Sequence, residues 1–194
     1  MTVLILVADG FDDLHLFCPW YRLLEEGQSV TIATPGGQRV TGLHGYRVEA
    51  DTPIREVNPA EYDLLLVPGG QSPERLRLRE EAVDVARTFM GEDRPVAAIG
   101  HGPQLLISAG SLSGRQATAA PGIRDDLRAA DARYRDEAVV LEGNLLTGRA
   151  GACGATDPQA RMPRKVIIWR QKSGRSSVPR PVSRLPSSTT ASSR

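Results

Sequence analysis

Little in this chain suits a membrane span, a disulfide scaffold or a metal centre. Its longest apolar runs, Val3–Ala8 and Leu64–Val67, fall far short of the ~20 residues that cross a bilayer. No basic segment with a cleavage site opens the sequence, which goes directly into the strand-like Thr2–Val7. The expectation is therefore a cytoplasmic protein without a signal peptide. The two cysteines, Cys18 and Cys153, stand in unlike surroundings, which argues against a disulfide framework. The three histidines, His15, His44 and His101, lack the spacing of a metal site, so no metal is expected. Lysine is missing from residues 1–149, where 15 arginines stand against 22 acidic residues for a net charge near −7. Residues 150–194 invert the balance, with nine basic residues and one acid. The overall net charge of +1 conceals two unlike parts, and the boundary falls at 149/150.

At 194 residues the chain can build one domain with a sizeable core, and is short for two. Residues 1–149 alternate between strand and helix periodicities. Strands are predicted at 2–8, 29–34, 63–67, 95–99, 116–119, 138–142 and 145–148. The last two are joined by Gly143-Asn144, a tight hairpin signal. Val40–Glu49 reads as a second small hairpin around Gly42 and Gly45. Helices are predicted at 13–27, 73–78, 80–91, 103–110 and 123–130, the first closed by Gly27. Strands separated by helices of this length imply a parallel sheet covered on both faces. Sites in such sheets form at the carboxyl ends of strands, so the loops after Ala8, Val67 and Ile99 should converge.

From Ala150 the pattern collapses. Residues 171–194 are rich in Ser, Arg, Pro and Thr, a composition that reads as disordered. Only Val166–Trp169 could bury anything. Nucleic-acid attachment and a non-native extension compete as readings of this tail. The arginines are scattered without aromatic interleaving, which favours the second, and nucleic acid is not an expected partner.

The segment Pro95–Gln104 is a strand-turn-helix corner. Val96–Ile99 suits a buried parallel strand, and Pro103 suits a first helical turn. Many hydrolases place a nucleophile at such a corner, beside the free N–H groups of the helix. Here the apex is Gly100, followed by His101. Gly69-Gly70 permits close backbone approach and leaves N–H groups for an oxyanion, with the His101 N–H as a second donor. A Pro-Gly-Gly turn also serves as a plain strand-to-helix connection. His15 and His44 read as exposed or turn residues. Cys18 lies on a helical stripe with Phe17, Tyr21 and Leu24, where a cysteine acts as a small buried hydrophobe.

Over residues 2–149 the chain resembles the ThiJ/PfpI family, close to its intracellular-peptidase-like branch. The resemblance rests on Ala8-Asp9-Gly10-Phe11, His44-Gly45-Tyr46, Leu66-Val67-Pro68-Gly69-Gly70 and Pro73-Glu74-Arg75. It extends through His101-Gly102-Pro103-Gln104, Ile107-Ser108-Ala109-Gly110 and Pro121-Gly122-Ile123-Arg124-Asp125-Asp126. It implies an α/β flavodoxin-like three-layer sandwich with a mostly parallel sheet. It also implies cysteine-dependent peptidase, glyoxalase or deglycase chemistry, or a chaperone-like stress role, without metal or organic cofactor. The substrate would be a small aldehyde, a glycated adduct or a peptide. By the same resemblance His101 is the catalytic histidine and Glu74 the acid that orients it from a neighbouring subunit of a dimer or hexamer. Asp12 stands where the family has a glutamate bonded to the nucleophilic cysteine.

The departures are specific. The cysteine position is Gly100, the pocket tyrosine is Ala120, and Arg149-Ala150-Gly151-Ala152 replaces the start of a closing segment. Losing the nucleophile of a coupled site costs several orders of magnitude in rate. Thiol-dependent activity is therefore expected to be absent or weak. His101 and Glu74 also carry structural readings, as an elbow residue and as an acid at a helix N-terminus.

Overall fold

Strand β1 (Thr2–Leu6) alternates between two cores. Val3 and Ile5 face one side of the sheet, and Leu4 and Leu6 face the other. A strand covered on both faces reads as an unbroken apolar run, and this one is fully buried from Val3 onward. The computed structural model describes residues 1–149. Val166–Trp169 and the basic tail lie outside the described residues.

Around β1 a sheet is assembled from β2 (Ser29–Thr34), β5 (Thr52–Pro53), β6 (Leu64–Val67), β7 (Val96–Ile99), β10 (Val139–Glu142) and β11 (Leu145–Gly148). Its order is β10-β11-β7-β6-β1-β2-β5. Every pairing is parallel except the hairpin β10–β11. The central order β2-β1-β6-β7-β11 is the flavodoxin-like one, with its reversal beside β1. The expected α/β sandwich is therefore observed.

Helix α1 (Asp13–Glu25) covers one face, where Leu16 and Leu23 meet Val3, Ile5, Leu66 and Ile99. The hairpin β3 (Val40–Thr41) and β4 (Arg47–Val48) packs on the same side. Helices α2 (Ser72–Leu76), α3 (Glu80–Gly91), α4 (Pro103–Ser108) and α5 (Arg124–Ala129) share the opposite core through Leu76, Ala86, Phe89, Leu105 and Leu127. Each fully buried Leu, Ile or Phe side chain contributes ~1.5–3 kcal/mol before the entropy of ordering it. No helix among the described residues is long and apolar enough to cross a membrane.

Three readings of the sequence need correction. The segment 116–119 does not join the main sheet. Only β8 (Gln116–Ala117) forms, and it pairs in parallel with β9 (Arg133–Tyr134). Thr118 turns away because its N–H donates to Thr147 Oγ1 and its hydroxyl donates to the Glu137 carbonyl. Of the stripe Phe17, Cys18, Tyr21 and Leu24, only Phe17 packs against the core. Tyr21 and Leu24 are exposed and Cys18 is half-buried, because the sheet selects His15, Leu16, Pro19 and Leu23 instead. Third, His15 is buried.

Candidate active site

The loops after β1, β6 and β7 meet at the carboxyl edge of the sheet. The N–H of Asp12 donates to the Gly69 carbonyl at 3.0 Å, and that of Gln71 donates to Gly10 at 2.7 Å. Ser72, fully buried at the start of α2, accepts the Ala8 N–H on its Oγ at 2.8 Å. Gly70 has φ +84°, and a Cβ there would lie 2.5 Å from the Asp12 nitrogen. Glycine is thus required by conformation and by close approach together.

The corner itself is held by backbone. Gly100 takes φ +60° at the end of β7. Its N–H donates to Gly148 of β11 at 2.8 Å, and its carbonyl accepts the N–H of buried Ala120 at 2.9 Å. The Gly102 N–H returns to the Ile99 carbonyl at 2.8 Å, closing the turn into α4. His101 follows the apex half-exposed, with Nε2 at 3.8 Å from where a Cβ on Gly122 would stand. Among the described residues the N–H groups of Gly70 and His101 have no hydrogen-bond partner. They are free to serve as donors to a developing negative charge, which is what an oxyanion site requires.

A residue passed over in the sequence completes this constellation. His15 sits in the first turn of α1, its side chain 5% exposed, and faces Gly69 and Gly100. A Cβ on Gly69 would lie 2.5 Å from His15 Nδ1, and one on Gly100 would lie 2.8 Å from Cε1 and 3.1 Å from Nδ1. The ring is therefore accommodated by two missing side chains. Its Nδ1 is buried and without a hydrogen-bond partner, a state that costs about 1–3 kcal/mol. Burial holds the imidazole below its ordinary pKa; the Asp12 carboxylate opposes this and His101 adds to it. His15 is neutral at pH 7 in consequence. The one available signal, the helical spacing of His15, Leu16, Pro19 and Leu23, competes with a second apolar stripe on the same helix.

Asp12 is held by the start of α1. It is the N-cap of α1, and its Oδ1 accepts from the N–H groups of Leu14 and His15 at 3.0 and 3.1 Å. Its Oδ2 lies 3.8 Å from His15 Nδ1. Ala120 contributes backbone to the corner. Glu74 lies exposed in the first turn of α2 and makes no hydrogen bond or ion pair with His101 among the described residues. One chain alone does not bring the two together. Cys18, the one cysteine among the described residues, has its thiol pushed up by burial and then by Asp12, so it is not a thiolate at neutral pH. His44 lies in an exposed turn as expected, with Nδ1 at 2.8 Å from Oδ2 of buried Asp13. No cluster of three His, Cys, Asp or Glu among the described residues could hold a metal ion.

Comparison with known proteins agrees with this architecture. A deglycase of Pyrococcus abyssi is 50% identical over 149 residues, which cover 77% of this chain and 90% of the relative. The deglycase PfpI of Pyrococcus furiosus is 49% identical over the same length, again covering 77% and 90%. Among solved structures, a two-domain protein from Anabaena variabilis with a DJ-1/ThiJ/PfpI-like and a ferritin-like domain superposes with a TM-score of 0.81 at 30% identity. That match covers 88% of this chain and 48% of the other. The DJ-1/PfpI family model matches residues 1–155. By sequence over most of its length, and by fold, the chain belongs to the DJ-1/PfpI family.

Proposed function

We propose that this chain is a stress-response member of the deglycase and peptidase lineage whose thiol-dependent activity is absent or very weak. Its ligand class is a small aldehyde, a glycated adduct or a peptide, bound at the Gly100 corner. One observation carries this reading: the corner, with unpartnered N–H groups at Gly70 and His101, is built around a residue with no side chain. A cysteine-dependent attack needs a thiolate at that point, and Cys18 is on α1 with its thiol protonated. In this reading His101 and the donors are an inherited framework. Glu74 reaches His101 only from a second copy of the chain in a homo-oligomer. The cytoplasm is its place of action.

The test is lactate formation from methylglyoxal by the full-length protein, before and after alkylation with iodoacetamide. The expected outcome is no turnover that alkylation removes. A rate abolished by alkylation overturns the reading.

A second reading, a non-catalytic binding protein with chaperone-like action, is favoured by the aromatic surface of α1. Phe17, Trp20 and Tyr21 stack in series, Tyr46 meets Phe17 edge-on, and Leu14, Tyr21 and Tyr46 are more than half exposed. Exposed apolar clusters of this kind mark interaction surfaces. This reading expects suppression of client aggregation that is indifferent to residue 100 and lost in Tyr21→Ser/Tyr46→Ser.

A further inference from the structure

We propose that His15, backed by Asp12, is a proton-transfer group of the Gly100 corner and that it drives thiol-free attack of water on a small electrophilic carbonyl. This rests on the reading of the corner as the ligand site and adds the chemistry performed there.

Three observations converge. First, the imidazole stands where the side chain of residue 100 would begin, 2.8 to 3.1 Å from that Cβ position. A base at this point faces the same carbonyl that a nucleophile on residue 100 would attack. Second, the Nδ1 that faces the two glycines has no partner and is buried. Buried polar atoms are nearly always satisfied, so an unpartnered one aimed at the corner calls for a partner that the chain itself does not supply. Third, Asp12 is fixed by its capping bonds through Oδ1, which leaves Oδ2 at 3.8 Å from Nδ1. That distance is too long for a hydrogen bond, so Asp12 does not hold a proton on Nδ1, and the neutral form favoured by burial leaves this nitrogen able to carry the lone pair. Once protonated, the imidazolium has the Asp12 carboxylate 3.8 Å away, whose charge favours the protonated form.

The step balances without a cofactor. Water adds through its oxygen to the carbonyl carbon while His15 Nδ1 takes one of its protons. The carbonyl electron pair moves onto oxygen, which the N–H groups of Gly70 and His101 receive. With an activated ester, the alkoxide re-forms the carbonyl, and the carbon–oxygen bond to the leaving group breaks with its electron pair. His15 then returns its proton to solvent. For 4-nitrophenyl acetate and water the products are acetate, 4-nitrophenolate and two protons.

The experiment is hydrolysis of 4-nitrophenyl acetate by the full-length protein with both cysteines alkylated, so that thiols contribute nothing. General-base assistance is worth about 10²–10⁴ in rate. The expected result is a rate above buffer that falls about 100-fold or more in His15→Gln, with an unchanged circular dichroism spectrum. The rate should rise with pH through an inflection below the ordinary histidine value of 6.5. Asp12→Asn removes the charge that raises His15, so it should move the inflection to lower pH. Added imidazole should raise the rate of His15→Ala beyond the rate that the same imidazole gives without protein, and should do so less in His15→Gln, where the space stays filled; a merely structural His15 would not give this excess. No rate above buffer, or equal rates in the parent and His15→Gln, overturns the proposal and leaves the thiol-deficient reading standing. A rate present before alkylation and abolished by it overturns both.

Discussion

The ring of His15 occupies the space into which a side chain on residue 100 would project, with Cε1 at 2.8 Å from that Cβ position. Placing a thiol at the corner therefore involves two residues. Gly100→Cys alone should be destabilised by ~1–3 kcal/mol, from overpacking against the ring and from the positive φ. It should also show little methylglyoxal turnover. Gly100→Cys/His15→Ala should gain thiol-dependent turnover and react readily with a thiol reagent. A single variant as active as the double would show that His15 yields freely.

Acid should weaken the fold through the same ring. Burial lowers His15 below its ordinary 6.5, so in that range the unfolded chain binds a proton that the folded chain refuses. The contribution is fully present above about pH 6.5, and it is lost as the pH falls from there through the folded value. His15→Gln should flatten that decline. Urea midpoints measured from about pH 7.5 to about pH 5 check it, and parallel curves for the two proteins would contradict it.

Ser72 is a hidden strut of the site. Its Oγ accepts the Ala8 N–H in a fully buried setting, so Ser72→Ala leaves that donor unsatisfied. The expected loss is about 1–3 kcal/mol in chemical denaturation, and a change below about 0.5 kcal/mol would mean that water replaces the hydroxyl.

Two glycines should respond very differently to alanine. Gly27 ends α1 at φ +68° with open space around it, so Gly27→Ala should cost only ~1 kcal/mol of backbone strain. In Gly69→Ala the new methyl meets His15 Nδ1 at 2.5 Å and the Ile99 carbonyl at 2.7 Å. Backbone cannot yield as a flexible side chain can, so that loss should reach about 3 kcal/mol. Thermal melts of the two variants make the comparison direct.

Assembly bears on Glu74. Light scattering should show a dimer or larger species, and Glu74→Gln should lower any activity that depends on His101. A clean monomer would remove the role of Glu74 across an interface.

The α/β architecture was legible because β1, β6 and β7 are short unbroken apolar runs separated by helices, and that pattern has few solutions. Gly143-Asn144 announced its hairpin, and Gly27 announced the end of α1. The two-residue strands β5 and β9 were not legible, since pairs that short carry no periodicity and form only because neighbours present free edges. At the site, the glycines and His101 were readable from turn chemistry. His15 was not, because a helix with apolar residues on two stripes does not say which one the sheet will choose. Choosing Leu16 and Leu23 carried His15 inward and left Tyr21 in solvent.

The hydrogen bonds that hold the corner run from Gly100 to Gly148 and from Ala120 to Gly100, main chain to main chain. The apex thus takes its shape from its main-chain neighbours, in a conformation that suits glycine. Main-chain anchorage of that kind does not free the position: any side chain placed there takes the left-handed conformation and claims the volume of the His15 ring. Residues 15 and 100 compete for one volume, so drift at either position is bounded by what stands at the other.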